Sequence, residues 1–310
     1  MTDRSVGRLA LGGLLVLLVV DALLVALAFR PDAAGASAQG PTPGAGTSSS
    51  TAASSPTTST NATVTVVPVA QVIAAADGKR AWRATLGTCA DKGASLSVTD
   101  DGGRTWTERT APAPALGRVQ PVGAGRGFVI AARTGCKPGE YDTDDGAATW
   151  KSPIAVDGGW SRVPGGEEPE QVITPQRPDA RPCGSTTVVD LARVSAARAV
   201  VVCADGRIVR STDGGSRWST QATVKGALSV SARDEGGTPT VYVARTSDAC
   251  DGVEIAKVTD TATALSCVKA PLDGAEGRVS LSVVGAAGWL AVADTTWRSG
   301  SDLATWSATA

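Results

Sequence analysis

Thr99-Asp100-Asp101-Gly102-Gly103-Arg104-Thr105-Trp106 is the stretch on which the fold turns. Its pattern returns at Thr143-Asp144-Asp145-Gly146-Ala147-Ala148-Thr149-Trp150 and at Ser211-Thr212-Asp213-Gly214-Gly215-Ser216-Arg217-Trp218. A worn copy, Ser299-Gly300-Ser301-Asp302-Leu303-Ala304-Thr305-Trp306, has Ser301 and Leu303 where the aspartate and glycine belong. An internal repeat of this kind outranks every other sequence signal. An Asp followed by Gly suits a tight turn with φ > 0 and side-chain-to-backbone hydrogen bonds. The Ser or Thr ends one strand. The Trp opens the next and inserts a large apolar ring between neighbouring elements. Each copy therefore reads as a β-hairpin connection.

Working outward, each copy follows a short apolar run that starts on a bulky residue, and a fifth run has no copy after it. The runs begin at Trp82, Phe128, Val200, Val241 and Trp289. Bounded by Gly and Asp, they read as buried strands. Their starts are 46, 72, 41 and 48 residues apart. Three of these intervals match the roughly 40–50 residues of a propeller blade. The long one holds a Gly-, Pro- and Glu-rich insertion, Ile154–Pro182. Five such strands give five blades, with room for a sixth in that interval. The blade that starts at Val241 has lost its repeat, and Val258–Ser266 keeps only the turn character.

The repeats resemble the Asp-box, S/T-x-D-x-G-x-x-W, of BNR-repeat β-propellers. The family is sialidase-like in architecture and is similar to the non-catalytic photosystem II assembly-factor type. The resemblance spans about 240 residues, but its strong motifs cover about 30. It implies an all-β propeller of about five or six four-stranded blades, with each box between the third and fourth strands. The box residues are then structural: Thr99, Asp101, Gly103 and Trp106; Thr143, Asp145 and Trp150; Ser211, Asp213, Gly215 and Trp218; and Trp306.

The first 63 residues are different material. Residues 9–29 are apolar apart from Asp21 and are bracketed by Arg8 and Arg30. About 20 apolar residues cross a bilayer. The expected organisation is a cytoplasmic tail at 1–8, a transmembrane signal anchor at 9–29, a linker at 30–63 and an extracytoplasmic propeller at 64–310. Arg4 and Arg8 ahead of the span favour a cytoplasmic N-terminus. Asp21 is a candidate contact to a partner helix, because a carboxylate there costs about 2.5–3.5 kcal/mol. In 31–63 only Asp32, Gln39 and Asn61 interrupt Ser, Thr, Ala, Pro and Gly. Such a composition cannot bury enough apolar area to offset chain entropy.

Composition excludes several functions. Histidine is absent, which removes Ser-His-Asp and Cys-His catalysis and histidine metal sites. The 29 basic and 30 acidic residues nearly cancel, so no nucleic-acid partner is expected. No cofactor or metal is expected either. The six cysteines lie beyond the anchor, and the blade alignment pairs them as Cys89–Cys136, Cys183–Cys203 and Cys250–Cys267. Sialidases use an arginine triad, a Tyr/Glu pair and an Asp acid/base, with a Phe/Tyr-Arg-Ile-Pro segment. That segment is missing, and neither Tyr141 nor Tyr242 stands late enough to be the nucleophile.

Glu140, Asp157, Glu167, Glu168, Glu170 and Glu254 are the carboxylates available to any other glycosidase chemistry. Trp160, Glu167, Glu168 and Glu170, all in the insertion, are the candidate binding residues. The expected function is a non-catalytic binding or scaffold module on the outer face of the membrane, with an unknown protein or glycan ligand. An exported glycoside hydrolase and a membrane-complex subunit contacting partners through its span are the alternatives.

Overall fold

The computed structural model describes residues 64–133, 135–235 and 237–309. The span at 9–29, Asp21 and the linker lie outside the described residues. Among the described residues no helix is long and apolar enough to cross a membrane. The fold is an all-β propeller of five blades. The first blade is β1 (Gln71–Ala75), β2 (Ala81–Thr85), β3 (Ser95–Thr99) and β4 (Thr107–Arg109). The second is three-stranded: β5 (Ala115–Pro121), β6 (Gly127–Ala132) and β7 (Pro138–Thr143). A two-stranded sheet follows, β8 (Ser161–Arg162) and β9 (Val172–Ile173).

The third blade is β10 (Val188–Arg193), β11 (Ala199–Cys203), β12 (Arg207–Ser211) and β13 (Ser219–Thr223). The fourth is β14 (Ala227–Glu235), β15 (Thr238–Ser247), β16 (Cys250–Val258) and β17 (Ala262–Val268). The fifth is β18 (Val279–Val284), β19 (Ala287–Val292), β20 (Thr295–Ser299) and β21 (Ser307–Ala308). All pairings are antiparallel.

The five bulky-start runs are the second strands of the five blades, β2, β6, β11, β15 and β19. Three of them, β6, β11 and β19, are the most buried strands of their blades, because they have a neighbour on each edge and a blade on each face. Ala199–Cys203 and Ala287–Val292 are buried at every position, which is why they read as continuous apolar runs rather than as alternating ones. The core lies between blades. Leu96, Leu116 and Val129 join the first to the second. Val200, Val202, Val241 and Val243 join the third to the fourth. Ile255, Leu281 and Leu290 join the fourth to the fifth. Each such side chain contributes about 1.5–3 kcal/mol by leaving water.

The inner strands β1, β5, β10, β14 and β18 line a central channel, and β8 stands between β5 and β10. We call the face where the inner strands begin the lower face. Because strands alternate in direction, the repeated turns lie on the upper face, and the loops from second to third strands lie on the lower face. The disulfides are Cys89–Cys136, Cys183–Cys203 and Cys250–Cys267, the pairing expected from the blade alignment.

Candidate functional site

The four repeats fold onto one hydrogen-bond pattern. The first hydroxyl accepts the N–H four residues on: Gly103 to Thr99 at 3.0 Å, Ala147 to Thr143 at 3.1 Å, Gly215 to Ser211 at 2.9 Å and Leu303 to Ser299 at 3.0 Å. The residue donating that N–H has positive φ in all four copies, 84°, 65°, 93° and 55°. Glycine is natural there; Ala147 and Leu303 hold the same backbone without it. The Asp accepts the hydroxyl of the first residue and N–H groups across the turn, as Asp101 does from Thr99, Arg104 and Thr105.

In the fourth copy the carboxylate comes one residue late. Asp302 accepts from Ser299, Ala304 and Thr305, so the copy is shifted rather than lost. Hydrogen bonds from the Thr105 and Thr149 side chains, together with those from the turn backbone, hold the Asp101 and Asp145 carboxyls down at about 2. These aspartates are committed to their turns.

Three of the four repeat tryptophans pair edge-to-face. Trp106 meets Trp289, Trp150 meets Trp82, and Trp218 meets Trp160 at 5.8–6.3 Å between ring centroids. In the first two pairs the partner belongs to the preceding blade. In the third it belongs to the insertion, so the insertion occupies the place of a blade ahead of the third. Trp160 is fully buried, and its Nε1 donates to Ala196 O at 3.0 Å. It is a core residue with no surface for a ligand, which corrects its reading as a contact residue. Glu167 and Glu168 are solvent-exposed. Glu170 pairs with Arg181 at 2.6 Å.

The channel, about 210 Å³, has two unlike walls. One wall is stitched by side chains. Asp190 on β10 accepts from Ser229 Oγ at 2.6 Å and Val230 N at 2.9 Å on β14. Ser229 and Ser231 accept the N–H groups of Leu281 and Val283 on β18. Ser280 and Ser282 accept those of Ile73 and Ala75 on β1. The stitching thus runs β10–β14–β18–β1. Burial pushes the Asp190 carboxyl up, against its hydrogen bonds and Arg162.

The other wall, from β5 through β8 to β10, carries Arg118, Arg162 and Arg193 instead. Gly117 on β5 lets β8 approach: an added Cβ would lie 2.6 Å from Ser161 Oγ and run into Arg162 O. The lower end of the channel is crossed by the segment that leads into β1. Val69 N donates to Val189 O and Ala70 N to Gly277 O, while Arg162 Nη1 donates to Val69 O at 2.5 Å.

At the upper end a cleft of about 420 Å³ opens along the seam between the second blade and the insertion. Arg118, Gln120, Phe128, Glu140, Asp157 and Arg193 line it. Arg118 donates to Trp160 O at 3.1 Å and to Gln120 Oε1 at 2.6 Å, and its guanidinium lies 5.1 Å from the Phe128 ring centroid. Burial lowers it to about 10, with help from the charge of Arg193 and against Glu140. Burial, with Asp142 beside it, pushes Glu140 up. Val122, 59% exposed, lines the rim. Ile154, 57% exposed, pairs with Glu140 across the sheet edge.

Of the sequence-flagged carboxylates, the cleft unites Glu140 and Asp157. Glu254 lies apart, bound to Arg245 at 2.5 Å and Ser247 at 2.6 Å. The arginines escaped notice because they stand on three separate strands that only the closed ring brings together.

No family model matches the chain, and no curated protein matches it. Solved β-propellers do. YCF48 from Cyanidioschyzon merolae is 12% identical over 75% of this chain and 67% of its own, with a TM-score of 0.31. A six-bladed fungal lectin from Aleuria aurantia is 10% identical over 80% and 96%, at 0.45. A Bacteroides ovatus xyloglucan-locus GH43B is 9% identical over 77% and 50%, at 0.38. Lectin, assembly factor and glycosidase stand side by side at low identity, so none of their activities passes to this chain.

Proposed function

We propose that the protein is a non-catalytic binding or scaffold propeller of the Asp-box type, held outside the cell membrane by its N-terminal anchor, with the seam cleft as its binding site. The carrying observation is the cleft itself. It gathers two arginines, two carboxylates, an amide and a half-buried aromatic ring beside an apolar rim. Such a mixed lining on a rigid scaffold is what selective pockets are made of. The shared hydrogen-bond pattern of the repeats supports the Asp-box assignment. The commitment of Asp190 to three donors supports binding over acid–base chemistry in the channel.

The test uses the full chain in detergent on glycan and peptide arrays, beside Arg193→Glu. Arg193 is exposed at the cleft, so the charge reversal leaves the fold intact. The expected result is retention of one ligand class with at least roughly tenfold weaker retention in the variant, the scale of one interface hot spot. Equal retention by both proteins would move the site elsewhere, and turnover of a glycoside substrate would overturn the non-catalytic reading.

A further inference from the structure

We infer that the Cys89–Cys136 disulfide is a redox-sensitive clamp on the seam. Three observations meet at it. The first is its position in the ring. Cys183–Cys203 lies at the start of the third blade and Cys250–Cys267 within the fourth, whereas Cys89–Cys136 joins loops of two different blades, the first and the second. The Ser/Asp stitching that ties β10, β14, β18 and β1 together comes from residues on β10, β14 and β18. The bridge therefore spans the junction at which the stitched arc gives way to the arginine-bearing one.

The second observation is what the bridge holds. The loop after β8 runs beneath it: a Cβ added at Gly165, where φ is +96°, would lie 2.8 Å from Cys89 Sγ and 3.0 Å from Cys136 Sγ. Three residues earlier, Arg162 is tied to Val69 O and Val189 O, and two before that, Trp160 O receives Arg118. One short run of chain thus connects the disulfide on the lower face to the arginine of the upper cleft.

The third is access. Cys183 and Cys203 are 2% and 0% exposed; Cys267 is exposed, but its partner Cys250 is 4% exposed, so attack at Cys267 would have to expel a buried thiolate. Cys89 and Cys136 are both only half-buried, so this is the bridge with no buried member. Exchange requires a thiolate to reach a sulfur.

A dithiol is the reductant. One of its thiolates attacks a sulfur of the bridge, forms a mixed disulfide and expels the other cysteine as thiolate. Its second thiol then displaces the protein cysteine. Two electrons pass to the protein, which gains two thiols, and the dithiol leaves as a disulfide. The Pro164–Gly166 loop is then free to move away, and β8 with it. The clamp stands on this geometry alone; only its effect on ligand affinity rests on the proposed binding role of the cleft.

The test titrates the native full chain with dithiothreitol, traps free thiols by alkylation and maps them. Cys89 and Cys136 are expected to be labelled at a reductant concentration at least roughly tenfold below that for the other four, equivalent to about 30 mV. Labelling of all six together, or of another pair first, overturns the inference. Hydrogen exchange on the selectively reduced protein is expected to rise across 161–173 while β14 to β19 keep their protection. Unchanged exchange at 161–173 also overturns it. A Cys89→Ser/Cys136→Ser variant that folds should reproduce this exchange pattern without reductant; if it does not fold, the wild-type reduction series decides. Affinity changes are read separately, so a ligand-free cleft leaves the clamp standing.

Discussion

Ser229→Ala should be the most damaging conservative substitution in the channel. Ser229 is 0% exposed. Its hydroxyl donates to Asp190 Oδ2 at 2.6 Å and accepts Leu281 N at 3.0 Å, linking three inner strands through one atom. Alanine removes a hydrogen bond to a buried carboxyl group and leaves a buried N–H without an acceptor. Together these cost about 3 kcal/mol, allowing for relaxation. In a domain of this size that corresponds to a fall of roughly 6–12 °C in unfolding temperature. Ser231→Ala removes one acceptor, for Val283 N at 2.8 Å, and should fall by about half as much. Differential scanning fluorimetry on tryptophan emission at neutral pH reads both. A Ser229→Ala protein that melts within about a degree of the parent would refute the view that side-chain stitching holds the inner ring. Equal losses for the two variants would refute the hub role of Ser229.

Three other outcomes follow from the turns and the insertion. The Asp101 and Asp145 carboxyls titrate near 2 in the folded chain, below their unfolded value; their contribution is present above the ordinary carboxylate range and is lost as pH falls toward 2. Acid unfolding followed by tryptophan emission should steepen in that window, and an unchanged profile in Asp101→Asn/Asp145→Asn would exclude the turns as its source. Gly146→Ala, at φ +72° with open space around it, should cost about 1 kcal/mol of backbone strain. Gly215→Ala, at φ +93° with the new methyl driven into Thr174, should cost about 1–3 kcal/mol more; matching urea midpoints would show that the contact yields freely. Trp160→Ala should cost about 3–5 kcal/mol as a core truncation, whereas a loss under about 0.5 kcal/mol would return Trp160 to the surface.

The blades were legible because their signal is local. A turn with a fixed Asp-Gly chemistry and a buried strand of Val and Ala are both written within ten residues. The disulfide pairs followed once equivalent strands had been aligned. The stitching was not legible, although its signal is present as Ser229-Val-Ser231 and Ser280-Leu-Ser282. Alternating serines on a strand look like an ordinary solvent face until the ring places a neighbour's N–H against each one. Asp302 was missed for a different reason. The motif fixes the aspartate at one offset, but a carboxylate one residue later still reaches Ser299 and the backbone of Ala304 and Thr305. What the turn requires is an acceptor at a point in space, and two spacings satisfy it.

The seam shows the same limit from the other side. Sequence periodicity failed between Phe128 and Val200, and the carboxylates there stood out only as candidates by residue type. The fold resolves this through Trp160. By meeting Trp218 as Trp82 and Trp289 meet their partners, it lets two short strands stand in for a blade. They fill the ring at the core and leave the upper rim open. A full four-stranded blade in that place would cover the rim. The arginines and the two carboxylates collect where the repeat is incomplete, because only there does the scaffold spare them from packing. Departures from an otherwise consistent pattern tend to mark functional positions. On that argument the cleft, rather than the repeated turns that first identify the fold, is where substitutions should change what the protein binds while leaving its stability near that of the parent.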